Sequence, residues 1–368
     1  MNRHIGQWIW IFTFLIVGSG LVTLYSASHL NVRVSDRVFY DQLSCAILGF
    51  IMMFLLSRID YRRFFDLAYF FYGLNLILLG MVLTGGRHAL GAQRWIELGG
   101  LSFQPSEFAK LAIIFALGRY FSENKPKLSF DLRGTTHVLL RDLIFPLALV
   151  GVPMLMIFKQ PDLGTAILFF GIFLIALFAS GIRYRYFLGF IVACILAMPF
   201  AWHILKPYQK DRLLVFLNPN IDPLGAGYTI IQSKIAIGSG QLFGKGWLAD
   251  TQNQLNFLPE RHTDFIFAVI GEEWGLAGTL FLLLCYFGLI YCGLKIAEQV
   301  KDQFGTHVAI GIVAILALQV VINMGMTLGL CPVVGITLPL VSYGRSSFIV
   351  FAVMIGFLLN LSTKRTVF

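Results

Sequence analysis

Long apolar runs alternate with short polar breaks along the whole chain. Ten runs stand out, at about 8–28, 42–57, 64–84, 105–121, 143–158, 164–180, 185–205, 264–294, 306–330 and 346–361. Several reach the roughly 20 residues that a helix needs to cross hydrocarbon. None shows the period-two alternation of a barrel strand; FAVMIGFLL (351–359) is apolar on every face. The pattern predicts an all-α polytopic membrane protein, one integral domain over 1–368 with about ten transmembrane helices. The first run lacks a small-residue cleavage site and reads as a retained helix, not a removed signal peptide.

Two stretches break the pattern. Residues 206–263 form the largest loop, between the seventh and eighth spans. Its second half, QSKIAIGSGQLFGKGWL, is apolar with glycines, which predicts an amphipathic or re-entrant piece. VVGITLPLVSYGRSS (333–347) places Pro339 and Gly344 where a helix would break. Non-helical backbone at membrane depth survives only when protein buries it or when it lines a cavity. Both stretches point to a cavity on the outer side.

Charge fixes the expected orientation. With both termini in the cytoplasm, the inner loops hold fifteen Lys and Arg and the short outer loops six. That bias matches the positive-inside rule, and it makes 206–263 extracytoplasmic. The net charge of +9 on a chain 57% hydrophobic and 13% charged, with mean hydropathy +0.77, is accounted for by the same bias and needs no nucleic acid. The five cysteines lie mostly in apolar runs without metal-type spacing and read as packing residues.

Ionisable residues near the spans carry the chemistry. PERHTDFIFAVIGEEWG (259–275) places Asp264 at the start of the eighth span and Glu272 and Glu273 deeper. Asp264 is a candidate helix cap or a reactive carboxylate. Glu272 and Glu273 must face the bundle interior, either tying helices together or coupling protons. In LSFQPSEFAKLAIIF, Glu107 and Lys110 share a helix face; they form a pair, or Lys110 meets a phosphate. Arg94 and Trp95 read as an interface anchor. Asp162, ahead of Gly164 and Thr165, reads as an N-cap. GSGQLFGKG fails as a phosphate loop: Ser239 stands where the first glycine belongs and Gly246 where Ser or Thr follows the lysine. His262, two before Asp264, is a supporting candidate. Acids at the starts of three spans, beside Arg94, Lys110, Lys234, Lys245 and Arg261, suit an amphiphile with a lipid tail and an anionic phosphate head.

GAQRWIELGGLSFQPSEFAKLA, QPDLGTA, DPLGAGYTIIQSKIAIGSGQLFGKG, TQNQLNFLPERHTDFIFAVIGEEWG and PLVSYG resemble the SEDS family of shape, elongation, division and sporulation proteins. The likeness spans nearly the whole chain. FLPERHTDFIF, with Arg261 before the histidine, is closer to the RodA branch than to the FtsW branch. The resemblance implies a peptidoglycan glycosyltransferase of the bacterial inner membrane. Such an enzyme polymerises lipid II, with undecaprenyl pyrophosphate leaving, and works with a class B penicillin-binding protein as transpeptidase. Asp264 matches the family's essential aspartate, and Glu107 and Lys110 match the acid and lysine of its fourth helix. A divalent cation (Mg or Mn) on the pyrophosphate is compatible with this, although the sequence offers no cage for one. Arg345 departs from the family's PLVSYGGSS and either strains the turn or adds a phosphate contact.

The expected reaction has Asp264 as general base, with Lys110, Arg94, Arg261 and Lys245 on the phosphate side and Glu107 orienting Lys110. Two other readings stand beside it: a flippase for the same lipid-linked sugar, and a non-catalytic scaffold for a transpeptidase. Glycan formation in detergent separates the polymerase from the flippase, and loss of polymerisation in folded Asp264→Asn with partner binding kept separates it from the scaffold.

Overall fold

The computed structural model describes residues 3–28, 32–89, 92–98, 101–124, 143–182, 184–223, 225, 227–249 and 257–363. Ten helices occupy the ten expected spans. They are α1 (Arg3–Ser28), α2 (Val32–Arg58), α3 (Arg62–Gly85), α4 (Pro105–Glu123), α5 (Phe145–Lys159), α6 (Leu163–Ala179), α7 (Tyr184–Ile204), α10 (Ile266–Gln299), α11 (Gln303–Thr327) and α12 (Arg345–Thr363). Two more, α8 (Pro207–Leu217) and α9 (Tyr228–Ser239), lie in the long loop. Among the described residues, six are long and apolar enough to cross a membrane: α1, α3, α10, α11, α12 and most of α2. The apolar helices α5 and α6 are shorter. Helix α4 carries Glu107, Lys110, Arg119 and Glu123, so its sequence reads as less apolar than its burial.

Helices α11 and α12 form the centre. Helix α12 packs on α2, α11 on α4, α6 and α10, and α1 on α10. Their shared core includes Ile315, Leu316, Phe351, Met354 and Leu358. By contrast α7 touches α6 only sparsely and leaves Leu188, Leu196 and Phe200 exposed. In a membrane protein such apolar faces meet lipid.

One element was not legible in the apolar pattern. Residues read as an interface anchor form a small antiparallel sheet, β1 (Arg87–Ala89), β2 (Ala92–Leu98) and β3 (Leu101–Phe103), in the order β1-β2-β3. It leads directly into α4, whose Pro105 occupies the first helical turn, where no N–H is needed.

The eighth span is not continuous. Gly275 has φ 63°, ψ −156° inside α10, a conformation that only glycine adopts freely. The freed backbone groups are satisfied by the loop after α9. Lys245 N donates to Glu272 O (2.9 Å), Gly246 N to Glu273 O (3.0 Å), Leu276 N to Gln241 O (2.9 Å) and Ala277 N to Leu242 O (3.0 Å). The loop thus splints the break, which meets the demand that buried backbone be paired. Side chains reinforce the splint. Lys245 Nζ lies 2.6 Å from Glu272 Oε1, and Glu273 Oε1 accepts from Ser26 Oγ of α1 and from Leu248 N.

Substitutions at this splint should cost stability. Gly244 has φ +79°, and a Cβ there would lie 2.1 Å from Glu273 O. Gly244→Ala is expected to destabilise by at least the roughly 1–2 kcal/mol of a left-handed side-chain-bearing residue. Glu273→Gln should cost about 1–3 kcal/mol by weakening buried donors' pairing. Both appear as a lower thermal midpoint in detergent, with turnover per folded molecule retained for Glu273→Gln.

Candidate active site

Asp264 sits in the turn that feeds α10. The helix begins at Ile266 with Phe265 at its N-cap position, and no side chain caps it. Asp264 is therefore neither the cap nor the first helical residue, which corrects one sequence reading. Its carboxylate is spared from capping and available for other work.

The main chain around it is held firmly. Three successive carbonyls, of His262, Thr263 and Asp264, each accept a bond from another part of the fold. Tyr343 N reaches His262 O (2.8 Å), Ser342 Oγ reaches Thr263 O (2.5 Å), and Asn323 Nδ2 of α11 reaches Asp264 O (2.9 Å). Ser342 Oγ also accepts from Leu338 N (2.7 Å), which folds the 338–342 turn back on itself. The SYG sequence thus acts as a clamp on the turn that carries the acid. Gly335, at φ +72°, brings this segment close: a Cβ there would lie 3.5 Å from Asp264 Oδ2.

The electrostatics of Asp264 follow from this placement. Part of its surface reaches solvent, yet protein surrounds the carboxylate on most sides. That burial raises its pKa to about 6; Glu260 adds to the rise, while the nearby charges of Arg212 and Arg94 oppose it. His262 is lowered to about 4 by burial and by Arg261, so it is neutral at pH 7. A carboxylate titrating near neutrality is matched to accepting a proton.

Arg94 comes from β2. Its Nη2 donates to Pro161 O, and its Nη1 lies 3.8 Å from Asp162 Oδ1. Asp162 caps α6, accepting from Thr165 N (3.2 Å) and Thr165 Oγ1 (3.0 Å). The N-cap reading of Asp162 and the approach of Arg94 are thus one arrangement. Arg212 comes from α8 and donates to Val333 O (3.2 Å), beside the clamp.

A second charged group lies in α4. Lys110 is 1% exposed, with Nζ 2.7 Å from Glu107 Oε1 and 3.1 Å from Gln319 Oε1 of α11. Gln319 Nε2 donates to Thr337 O (2.9 Å). The Glu107–Lys110 pair forms as its spacing predicts, and Gln319 ties it to the segment that clamps Asp264. Glu107 Oε2 and Ser106 Oγ are buried acceptors with no protein partner, next to this pair.

Other expectations fall elsewhere. The structure matches the Lys245 charge to Glu272 within the splint, where the sequence reading had placed a phosphate contact. Glu272 and Glu273 tie the α10 break to the loop and to α1, as the helix-tying alternative required. Arg261 is buried at 7% exposure. The positive φ values of this segment fall at Gly335 (φ 72°) and Leu340 (φ 65°); Arg345 is the first residue of α12 and is not in the left-handed region, so the turn is not strained there. Its guanidinium faces Asp41 (3.9 Å) and Ser102 Oγ (3.4 Å). Of the five cysteines, read as packing residues, Cys285 and Cys292 are buried and Cys45, Cys194 and Cys331 half-buried.

Arg212, Gln319, Asn323 and Ser342 were missed in the sequence. Gln319 and Asn323 did leave a signal: two amides four residues apart in an otherwise apolar helix are costly unless paired.

Chemically, a carboxylate near neutrality, set beside Arg94 and Arg212 and tied through α11 to a buried lysine, can take a proton from a hydroxyl while cations hold an anionic group.

Comparisons with known proteins place the chain in a family. The family model described as the cell cycle protein family FtsW/RodA/SpoVE matches residues 7–367. The peptidoglycan glycosyltransferase MrdB of Escherichia coli K12 is 43% identical over 353 residues, 95% of this chain and 91% of that protein. A solved structure described as showing structural coordination of polymerization and crosslinking by a peptidoglycan synthase complex aligns with TM-score 0.80 at 34% identity, covering 96% of each chain. The rod shape determining protein RodA of Thermus thermophilus aligns with TM-score 0.69 at 31% identity, covering 95% of this chain and 94% of that one. A family model matched from residue 7 to residue 367, with relatives aligned over nearly the whole of this helical chain, makes it a multi-pass membrane protein of the SEDS family, that of FtsW, RodA and SpoVE.

Proposed function

We propose that this chain is a peptidoglycan glycosyltransferase that joins lipid II units into glycan strands. The observation that carries this reading is Asp264: a carboxylate with pKa near 6, its main chain clamped on three carbonyls, with two arginines close by. Asp264 takes the proton from the acceptor sugar hydroxyl. That oxygen attacks the anomeric carbon of the donor, and undecaprenyl pyrophosphate leaves with the bonding pair. Arg94 and Arg212 stabilise charge growing on the diphosphate, and Lys110, held by Glu107 and Gln319, adds to the field. The donor's α linkage becomes β, because attack on the face opposite the leaving group inverts the carbon.

The relative described as glycosyltransferase MrdB supports the reaction class. The neighbour described as a peptidoglycan synthase complex supports a transpeptidase partner of the class B penicillin-binding type. The positive-inside bias supports cytoplasmic termini in a bacterial inner membrane, with Asp264 on the outer side. Among the described residues no three His, Cys, Asp or Glu side chains gather to hold a metal. A divalent cation, magnesium or manganese, that arrives with the diphosphate would take its ligands largely from phosphate oxygens and water.

The decisive experiment is polymerisation of lipid II by purified protein in detergent, with and without the transpeptidase. Detergent offers no two sides, so strands formed there require an enzyme and not a flippase. Asp264→Asn is expected to lower the rate by about 10²–10⁴-fold, the scale of a general base, while the protein stays folded. Full activity of that variant overturns the reading.

The rate should also depend on pH with a definite sign. Below about pH 6 Asp264 is protonated and kcat/KM falls about tenfold per unit; above it the rate levels. Stability moves oppositely. Because the folded pKa lies above the ordinary 3.8, this group's contribution to stability is greatest at low pH and declines as pH rises from about 3.8 to 6. Arg212→Ala removes a charge that favours the carboxylate. Its acid limb should lie at higher pH than the wild type's, measured as initial rates from pH 5 to 8.

A further inference from the structure

Two amides lie on one face of α11. Gln319 and Asn323 are four residues apart, so their side chains stack along the helix axis. Both are buried, at 1% and 0% exposure. Gln319 accepts from Lys110 through Oε1 and donates to Thr337 O through Nε2. Asn323 donates through Nδ2 to Ile336 O (2.7 Å) and to Asp264 O (2.9 Å). The partners fix which way each amide points, since an ammonium only donates and a carbonyl only accepts.

Adjacent residues of one segment, Ile336 and Thr337, are therefore each held by one amide. The same two amides reach in opposite directions, one to the turn of Asp264 and the other to Lys110. Resting on the assignment of Asp264 as the base, we propose that Asn323 and Gln319 are positioning residues: Asn323 fixes the base, Gln319 fixes the cation, and one face of α11 sets their spacing. Neither touches the reacting atoms.

The chemistry favours this route over a direct contact. A donor to the carboxylate of Asp264 would stabilise its charged form and reduce its basicity. A donor to its main-chain carbonyl fixes the α-carbon and leaves both carboxylate oxygens to the substrate. Reacting groups must be held to a fraction of an ångström, and a displacement of 1 Å can cost about 100-fold in rate.

The fold contains its own control. Asn360 of α12 has the same chemistry: it is 1% exposed, and its Nδ2 donates to Leu56 O (2.6 Å) and to Ile59 O at the end of α2. It makes no bond to the turn of Asp264 or to Lys110. Loss of either asparagine removes the side-chain donor from two main-chain carbonyls, so both should reduce stability.

The test compares Asn323→Ala, Gln319→Ala, their double variant and Asn360→Ala in the full-length protein, with thermal midpoint, kcat and KM for lipid II measured on folded material. Asn323→Ala is expected to lower kcat by about 100-fold with KM within about threefold. The double variant should lose less than the product of the two single losses, because both act on residues 336–337. Asn360→Ala should lower the midpoint and leave kcat per folded molecule unchanged. Wild-type kcat in Asn323→Ala overturns the proposal, as does an equal kcat loss in Asn360→Ala. If Asn323→Ala does not assemble, Ser342→Ala removes a donor from the same clamp; a fall in kcat at constant KM supports the proposal, and unchanged kcat overturns it. Retained turnover in Asp264→Asn would instead remove the base assignment, a separate result.

Discussion

A carboxylate at the end of a membrane helix works as a base only if the backbone beneath it does not move. Here that backbone is non-helical, so its carbonyls have no partners of their own. The donors come from elsewhere: Asn323 from α11, and Ser342 and Tyr343 from the turn before α12. Everything near the site is arranged around this demand. The 333–344 segment stays irregular because it must present donors sideways, and irregular backbone is tolerated at this depth because it is buried in protein.

The same rule explains the loop after α9. Helix α10 breaks at Gly275, and a break in a spanning helix exposes backbone that lipid cannot satisfy. Four backbone bonds from residues 241–246 repair it, and Lys245, Glu272, Glu273 and Ser26 tie the repair to α1. This gives the three acids of the eighth span two distinct duties. Asp264, before the helix, is left uncommitted by capping. Glu272 and Glu273, in its second turn, are bound into structure. Burial acts on all three, but only the first retains a half-open position beside arginines.

Within the SEDS family, the fold thus divides its polar residues by depth and partner. Those whose charge is matched within the bundle, such as Glu272, hold it together. Others gather around the clamp: Arg212 donates to Val333 O beside it, and Asp264 sits on the turn it holds. Lys110 belongs to both groups, being paired with Glu107 and linked through Gln319 to the clamp.

The helices of the ten apolar runs were legible because hydrocarbon selects for long apolar runs, and that selection is written locally along the chain. The N-cap at Asp162 and the Glu107–Lys110 pair were legible for the same reason: both are contacts within one turn of helix. The break at Gly275 was not, since a glycine inside an apolar run looks like any other until a distant loop docks on it. Nor was the β-sheet before α4, whose strands are short and gain their pairing only from one another. Arg212 and Asn323 reach the site across more than fifty residues of sequence, through bonds to carbonyls that carry no side-chain signature. Sequence alone determined which segments form apolar helices and which acid was worth suspecting. Only the tertiary structure decided which donors hold that acid and which cations surround it, because hydrogen bonds to main-chain carbonyls depend on where segments meet and not on what the carbonyl's own residue is.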